Sequence, residues 1–327
     1  MNPPKYNQYD YIDFLIGTQR VYSCTEAARV QPEQADPPAH DSITALLHRL
    51  IPGTERLWEE AQTQVDLSRG WLLLDDSTLD KWYSRKIELV SYHWSGKHRC
   101  VVWGMNLLTL LWTDGERYIP VDFRLYDKGT DGLTKNDHFR ALLETAAARG
   151  FRPEAVLFDS WYAGLDNLKL LRRLGWRWLT RLEHNRLVSL NRQAQTAVSQ
   201  VELAESGTLV YLKGYGLVKA FKIVATDGDI DYWATSDQMM SDLERLKLAE
   251  LAWMIETYHR GLKQFCGVEK AQVRKGRAQR NHIELAIRAF LRLEHHCFVK
   301  GISWFEAKTS IIREAVRAYL ANPIYTF

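Results

Sequence analysis

Two short apolar runs that each stop at an acid constrain this chain more than anything else in it. Residues 71–74 (Trp-Leu-Leu-Leu) lead into Asp75-Asp76, and residues 155–158 (Ala-Val-Leu-Phe) lead into Asp159. Four apolar residues without polar alternation predict a strand covered on both faces, as in sheets flanked by helices. An acid where such a strand leaves the core is costly unless it is paired, hydrogen-bonded or bound to a cation. For each acid alone, the alternative is a cap or the start of a turn.

The surrounding pattern fits a layered α/β domain. Residues 101–112 are long and apolar, and residues 118–126 alternate through Ile119, Val121, Phe123 and Leu125. With Thr113-Asp114-Gly115 between them, they predict a β-hairpin. Helices are expected over residues 137–148 and 165–174, and a strand over 176–182. Residues 183–230 carry only short strand and turn signals, Lys213-Gly214 and Asp227-Gly228 among them, before a last strand at 232–235. Ser241-Asp-Leu-Glu244 is a capping box that should open a long helix through residue 265. Two more helices follow near residues 282–296 and 305–320. Upstream, Asp41-Ser42 precedes Ile43, Leu46, Leu47 and Leu50, Pro52-Gly53 stops that helix, and residues 55–65 form a second. Mixed strands with helices on their faces imply α/β layers.

Several classes are excluded. No stretch approaches the roughly 18 apolar residues of a membrane helix, and residues 1–13 lack a signal-peptide pattern, so a soluble cytoplasmic protein is expected. Cys24, Cys100, Cys266 and Cys297 are scattered and form no CxxC pair, which argues against a zinc ribbon or a disulfide framework. Net charge is only +3. Its distribution says more: Arg260, Lys263, Lys270, Arg274, Lys275, Arg277, Arg280, Arg288 and Arg292 face only Glu269 and Glu284 in that stretch. Such a stretch either holds phosphates or is a solvated helix face.

A third acid, Glu256, sits in the helical segment Trp253-Met-Ile-Glu-Thr-Tyr-His-Arg260. Glu256, Arg260 and Lys263 are spaced i, i+4, i+7 and share a helix face. The order strand-Asp, strand-Asp, helix-Glu suggests three converging carboxylates, an all-oxygen site suited to Mg²⁺ or Mn²⁺. Two such ions about 4 Å apart can activate a nucleophile and stabilise the leaving oxygen at a phosphodiester.

Four segments resemble those of DDE-type insertion-sequence transposases: Leu72-Leu-Leu-Asp-Asp-Ser-Thr-Leu-Asp-Lys81, Tyr126-Asp-Lys-Gly-Thr-Asp-Gly-Leu-Thr-Lys-Asn-Asp137, Val156-Leu-Phe-Asp-Ser-Trp-Tyr162, and Ile255-Glu-Thr-Tyr-His-Arg-Gly-Leu-Lys263 followed by Phe265-Cys-Gly-Val-Glu269. The likeness spans roughly residues 70–296. It implies catalytic and metal-binding roles for Asp159, Glu256 and a first Asp, with Lys263 as the basic residue beyond the Glu. Asp75-x-Ser77 and Asp76-x-Thr78 both satisfy the family's Asp-x-hydroxyl spacing. The alignment of Leu79-Asp-Lys81 favours Asp75, with Asp76 as the alternative. The family's Tyr and Arg before the Glu are replaced by Ala249 and Ala252, a departure that touches how end phosphates are gripped.

The resemblance implies an RNase H-like mixed sheet flanked by helices. Its expected parts are an N-terminal helical, DNA-binding region (1–69), a first core segment (70–182), a β-rich insertion (183–230), a second core segment with the Glu helix (231–300) and a C-terminal helix (301–327). It further implies Mg²⁺ (or Mn²⁺) as cofactor, DNA as partner through terminal inverted repeats and a target, a homodimer on DNA, and action in the cytoplasm at the nucleoid. Arg260, Lys263, Arg274, Lys275, Arg277 and Arg280 are the expected DNA contacts. Rival expectations are a nuclease that cuts without joining and an inactive copy that only binds DNA. Trp161 and Trp233 are candidates for stacking on a base, with core packing the blander reading. His93, His98 and His282 are not at metal-ligand spacing, and His282 reads as a capping or packing residue. Lys81, Lys97 and Arg99 either approach DNA or belong to an exposed connection.

Overall fold

The computed structural model describes residues 4–96, 98–225 and 228–323, so Lys97 and Asp227 lie outside the described residues. Packing groups the chain into two units, one comprising Met1–Thr63, Ser77–Asn106 and Thr257–Phe327, the other Gln64–Asp76 and Leu107–Glu256.

The second unit holds the mixed sheet. Its strands are β1 (Trp71–Asp80) and β3 (Cys100–Thr113), each only in part, then β4 (Ile119–Tyr126), β5 (Ala155–Phe158), β6 (Trp178–Leu182), β7 (Leu187–Ser189), β8 (Thr196–Ala197), β9 (Thr208–Leu212), β10 (Gly216–Val224) and β11 (Ile230–Thr235). They lie in the order β3-β1-β5-β6-β11-β10-β9-β7-β8, with β4 on β3. β1, β5 and β6 run parallel, while β6, β11, β10 and β9 alternate antiparallel. Leu72, Leu73 and Leu74 are all buried, as both-face coverage requires. The segment expected to be an insertion therefore extends the central sheet through β11. Trp178 Nε1 donates to the Tyr215 hydroxyl at 3.0 Å, and the Arg172 guanidinium sits 3.7 Å above the Tyr215 ring, which ties the β9–β10 turn to the core.

Helix α5 (Lys135–Ala148) opens on a full capping box, Thr134 with Asp137, and α6 (Leu165–Arg173) packs beside it. Phe139 of α5 stacks on Tyr162 at 5.0 Å and meets Phe158 edge-on at 5.2 Å, so one apolar residue fixes the end of β5 and the turn after it. The helix expected through residue 265 is instead two: α7 (Asp242–Ala252), capped by Ser241, and α8 (Met254–Cys266), with the break at Trp253.

In the first unit, α1 (Gln8–Gly17), α3 (His40–Arg49) and α4 (Glu55–Ala61) pack against α9 (Gly276–Lys300). A short α2 (Cys24–Arg29) lies on α3, and α10 (Trp304–Ala321) on α9. Arg288 is buried at the centre of that packing. It donates to Glu60 Oε1 at 2.6 Å and Gln8 Oε1 at 2.9 Å. This unit also contains β2 (Ser91–Ser95), paired antiparallel with the first residues of β3. Among the described residues no helix is long and apolar enough to cross a membrane.

Candidate active site

The first acids do not end a strand, as the sequence suggests, but sit in the middle of one: β1 runs on to Asp80. Pairing alongside β3 carries it there, with Thr78 and Leu79 buried and Ser77 and Asp80 partly exposed. Side chains alternate faces along a strand, so Asp75 and Asp76 point opposite ways. The β1–β5 register pairs Leu74 with Phe158, which sets Asp75 level with Asp159, the residue directly after β5. Asp76 is occupied on its own side: Lys135 Nζ donates to Oδ2 at 2.8 Å and the Tyr162 hydroxyl to Oδ1 at 2.5 Å.

Asp75 is the strained member of the group. Burial first, and then the charges of Asp76, Asp159 and Glu256, push its carboxyl well above the usual carboxylate range; only the backbone amide of Asp76 works the other way. Burial and the neighbouring Asp76 likewise raise the Tyr162 hydroxyl. Asp76, Asp159 and Glu256 thus each lie close enough to Asp75 to repel its charge.

Asp159 does act as the cap that a strand-end Asp often is. Its Oδ1 accepts the Ser160 amide at 2.6 Å, and Ser160 Oγ donates to Glu183 at 2.7 Å. Glu256 is exposed in the first turn of α8, where the helix dipole favours a carboxylate. Two residues before it, Met254 is buried and its sulfur accepts a hydrogen bond from Thr113 Oγ1 at 3.5 Å, which fixes the start of α8 to the end of β3.

The donors available to a cation are carboxylate oxygens, a set that suits a hard divalent ion and offers nothing to a soft one. The repulsion that falls on Asp75 is what such an ion would relieve. Among the described residues, however, no three acids, histidines or cysteines are gathered at ligand distance, so the residues fit the ion by chemistry and not as a preformed cage. A cleft of about 490 Å³ elsewhere in this unit, lined by Trp71, Arg177, Glu244, Lys247 and Met254, includes none of the four acids.

The basic residues expected on DNA differ in exposure and partners. Arg260, Arg274, Lys275 and Arg277 are exposed. Lys263 donates to the Thr78 carbonyl at 2.7 Å, and Lys275 pairs with Glu88 at 3.0 Å. Arg277 donates to the carbonyls of Leu50 and Arg49 at 2.8 and 2.9 Å, closing the end of α3, and Arg280 is partly buried. Arg288 and Arg292 serve Glu60, so part of the basic stretch is interior chemistry. His282 is a packing residue, as expected, between the Tyr11 hydroxyl at 3.0 Å and the Gly267 carbonyl at 3.1 Å. Trp233 is buried and Trp161 exposed. Lys135 and Tyr162 were invisible as partners of Asp76, because nothing local in the sequence links residue 76 to either.

The family model for a transposase DDE domain matches residues 73–292, and the chain belongs to that family. No curated protein matches it. Among solved structures, a piggyBac transposase in a synaptic complex with hairpin DNA, seen by cryo-EM, is similar over 98% of this chain and 83% of that one, at 10% identity and a TM-score of 0.48.

Proposed function

We propose that this chain cuts the ends of an insertion element and joins the freed 3′-OH to target DNA, with Asp75, Asp159 and Glu256 as its catalytic carboxylates. The observation that carries the assignment is the register of β1 on β5, which sets Asp75 beside Asp159 while Asp76 faces away to Lys135 and Tyr162. Asp76 is then a positioning residue that holds β1 against α5 and the turn after β5. Asp75, Asp159 and Glu256 would hold Mg²⁺, or Mn²⁺ in its place. When bound, such ions activate a water or 3′-OH and stabilise the departing oxygen. The chain's own contribution is to bring the carboxylates of Asp159 and Glu256 within reach of Asp75, whose charged form burial and like charge disfavour until a cation is bound. Arg260, Arg274, Lys275 and Arg277 are the exposed members of the expected DNA surface, and Lys263 and Arg280, which are partly buried, complete it. Residues 1–69 add a DNA-binding region, two copies hold two ends, and the work is done in the cytoplasm at the nucleoid.

The test compares Asp75→Asn, Asp76→Asn, Asp159→Asn and Glu256→Gln for cleavage and strand transfer on element-end DNA, with and without chelator, beside binding of the same DNA. Loss of chemistry with retained binding is expected for Asp75, Asp159 and Glu256, and partial activity for Asp76. Full loss from Asp76→Asn with an active Asp75→Asn would reverse the assignment of the first carboxylate. Cleavage without joining would make the protein a nuclease, and binding without cleavage an inactive copy.

A further inference from the structure

The β2–β3 hairpin of the first unit shows an aromatic face outward. Alternation along β2 buries His93 and Ser95, 5% and 7% exposed, and turns out Tyr92 and Trp94, 67% and 64% exposed. Their partners across the hairpin are Trp103 and Val101, so the outer face reads Tyr, Trp, Val, Trp. Trp82 and Tyr83, from the segment before β2, are also exposed.

These rings are held in place. Tyr92 packs against Trp103 with centroids 4.8 Å apart, and Trp103 Nε1 donates to the Ser84 carbonyl at 2.7 Å. Trp82 meets His98 edge-on at 5.6 Å, and His98 is fixed by Asp80 at 3.0 Å. Leaving this much aromatic surface in water is unfavourable for a hairpin with no other use for it, and contiguous exposed apolar surface marks an interaction site.

The charge around the face selects the partner. Arg85, Lys86 and Arg99 are exposed, and Arg99 adopts a positive φ of 50° at the hairpin end. The nearby acids are engaged: Asp80 by His98, and Glu88 by Lys275 and the Gly276 amide. Cations beside open aromatic planes suit a polyanion that offers flat apolar faces. We propose that this hairpin face binds unpaired DNA, stacking bases on Trp94, Tyr92 and Trp82 while Arg85, Lys86 and Arg99 meet phosphates. A duplex hides its base faces in its own stack and is read at its edges by hydrogen-bonding side chains, which Tyr92, Trp94, Val101 and Trp103 supply poorly. Base–aromatic stacking is tolerant of sequence, so the site should show little preference among bases.

This inference rests on the reading that DNA is the substrate, and the experiment separates the two. The full chain is titrated into labelled oligo(dT) and into a random duplex at several salt concentrations, by fluorescence anisotropy. The double variant Tyr92→Ala/Trp94→Ala, checked for folding by circular dichroism, should bind oligo(dT) about 10- to 100-fold more weakly and the duplex within about 2-fold of wild type. Trp94→Phe, which keeps a stacking plane, should recover most of the loss. Equal loss on both DNAs, no loss at all, or failure of Trp94→Phe to rescue would overturn the proposal. So would a double variant that dissociates from dimer to monomer with oligo(dT) binding intact, because the face would then join two copies of this chain. Wild type that binds duplex but not oligo(dT) refutes only this inference, whereas wild type that binds neither removes the DNA reading as well.

Discussion

Lys135→Met removes the counter-charge of Asp76 and keeps most of the side chain's volume. Nζ lies 2.8 Å from Oδ2, and the two side chains are 18% and 16% exposed. Exposed pairs contribute about 0–1 kcal/mol, and breaking a fully buried one costs about 3–5 kcal/mol. This pair lies between those limits, and Asp76 keeps the Tyr162 hydroxyl, which offsets part of the loss. On the other side of the balance, Asp76 adjoins Asp75, whose carboxyl already suffers from burial and like charge. A destabilisation of about 2 kcal/mol is therefore expected, near the value of a hydrogen bond to a charged group. Asp76→Asn retains the Tyr162 contact and relieves Asp75, so it should cost less. The assay is a double-mutant cycle of Lys135→Met with Asp76→Asn, by urea unfolding in chelator, followed by both circular dichroism and tryptophan fluorescence so that two transitions can be told apart. A coupling energy of about 1–2 kcal/mol is expected. A value below about 0.5 kcal/mol would refute the reasoning, because it would leave Tyr162 and solvent holding Asp76 alone.

Three further outcomes follow from the first unit. Burial raises the Glu284 carboxyl from 4.5 to about 7, outweighing the opposing pull of Arg288, so the folded chain holds a proton there that the unfolded chain releases. That stability is fully present below pH 4.5 and lost as pH rises to 7; Glu284→Gln should abolish that slope and be more stable at pH 8 by up to about 3 kcal/mol, measured as the difference from wild type across pH 4–8. Arg277→Ala should lower stability by about 1–2 kcal/mol in urea unfolding by releasing the carbonyls at the end of α3; a loss below about 0.5 kcal/mol would mean that water replaces those contacts. Gly267 has φ +61°, and a Cβ there would stand 2.4 Å from the Tyr22 ring, so Gly267→Ala should cost roughly 2–4 kcal/mol in thermal unfolding; a loss under about 1 kcal/mol would mean that Tyr22 moves aside freely.

The apolar runs were legible because both-face burial leaves an unbroken signature: β5 falls on residues 155–158 as read, and β1 begins where expected. The end of β1 was not, since strand pairing continues past the acids through Ser77 and Thr78, and an acid is no stop signal when a partner strand lies alongside. Strand β2 escaped notice because its pattern is inverted, with His93 and Ser95 inside and Tyr92 and Trp94 outside. The break between α7 and α8 has no Gly or Pro to announce it; Trp253 occupies the joint. Helix α1 could have been found from its capping box, Asn7 with Asp10. Charge along the chain could not separate Arg274, which is exposed, from Arg288, which is buried on Glu60, because the difference is made by a helix more than two hundred residues away.

That distance has a consequence during synthesis. Helices α1, α3 and α4 find their packing surface on α9, which begins at Gly276. A ribosome adds about 5–20 residues per second, so the apolar faces carrying Ile12, Leu15, Leu46, Leu47 and Leu57 wait roughly 10–55 s for their cover to emerge. Gln64–Asp76 and Leu107–Glu256, by contrast, are all translated before α9 appears. The nascent chain therefore carries α1, α3 and α4 as exposed, sticky segments until α9 emerges, and holdase chaperones or slower growth temperatures should act on soluble yield through those helices first.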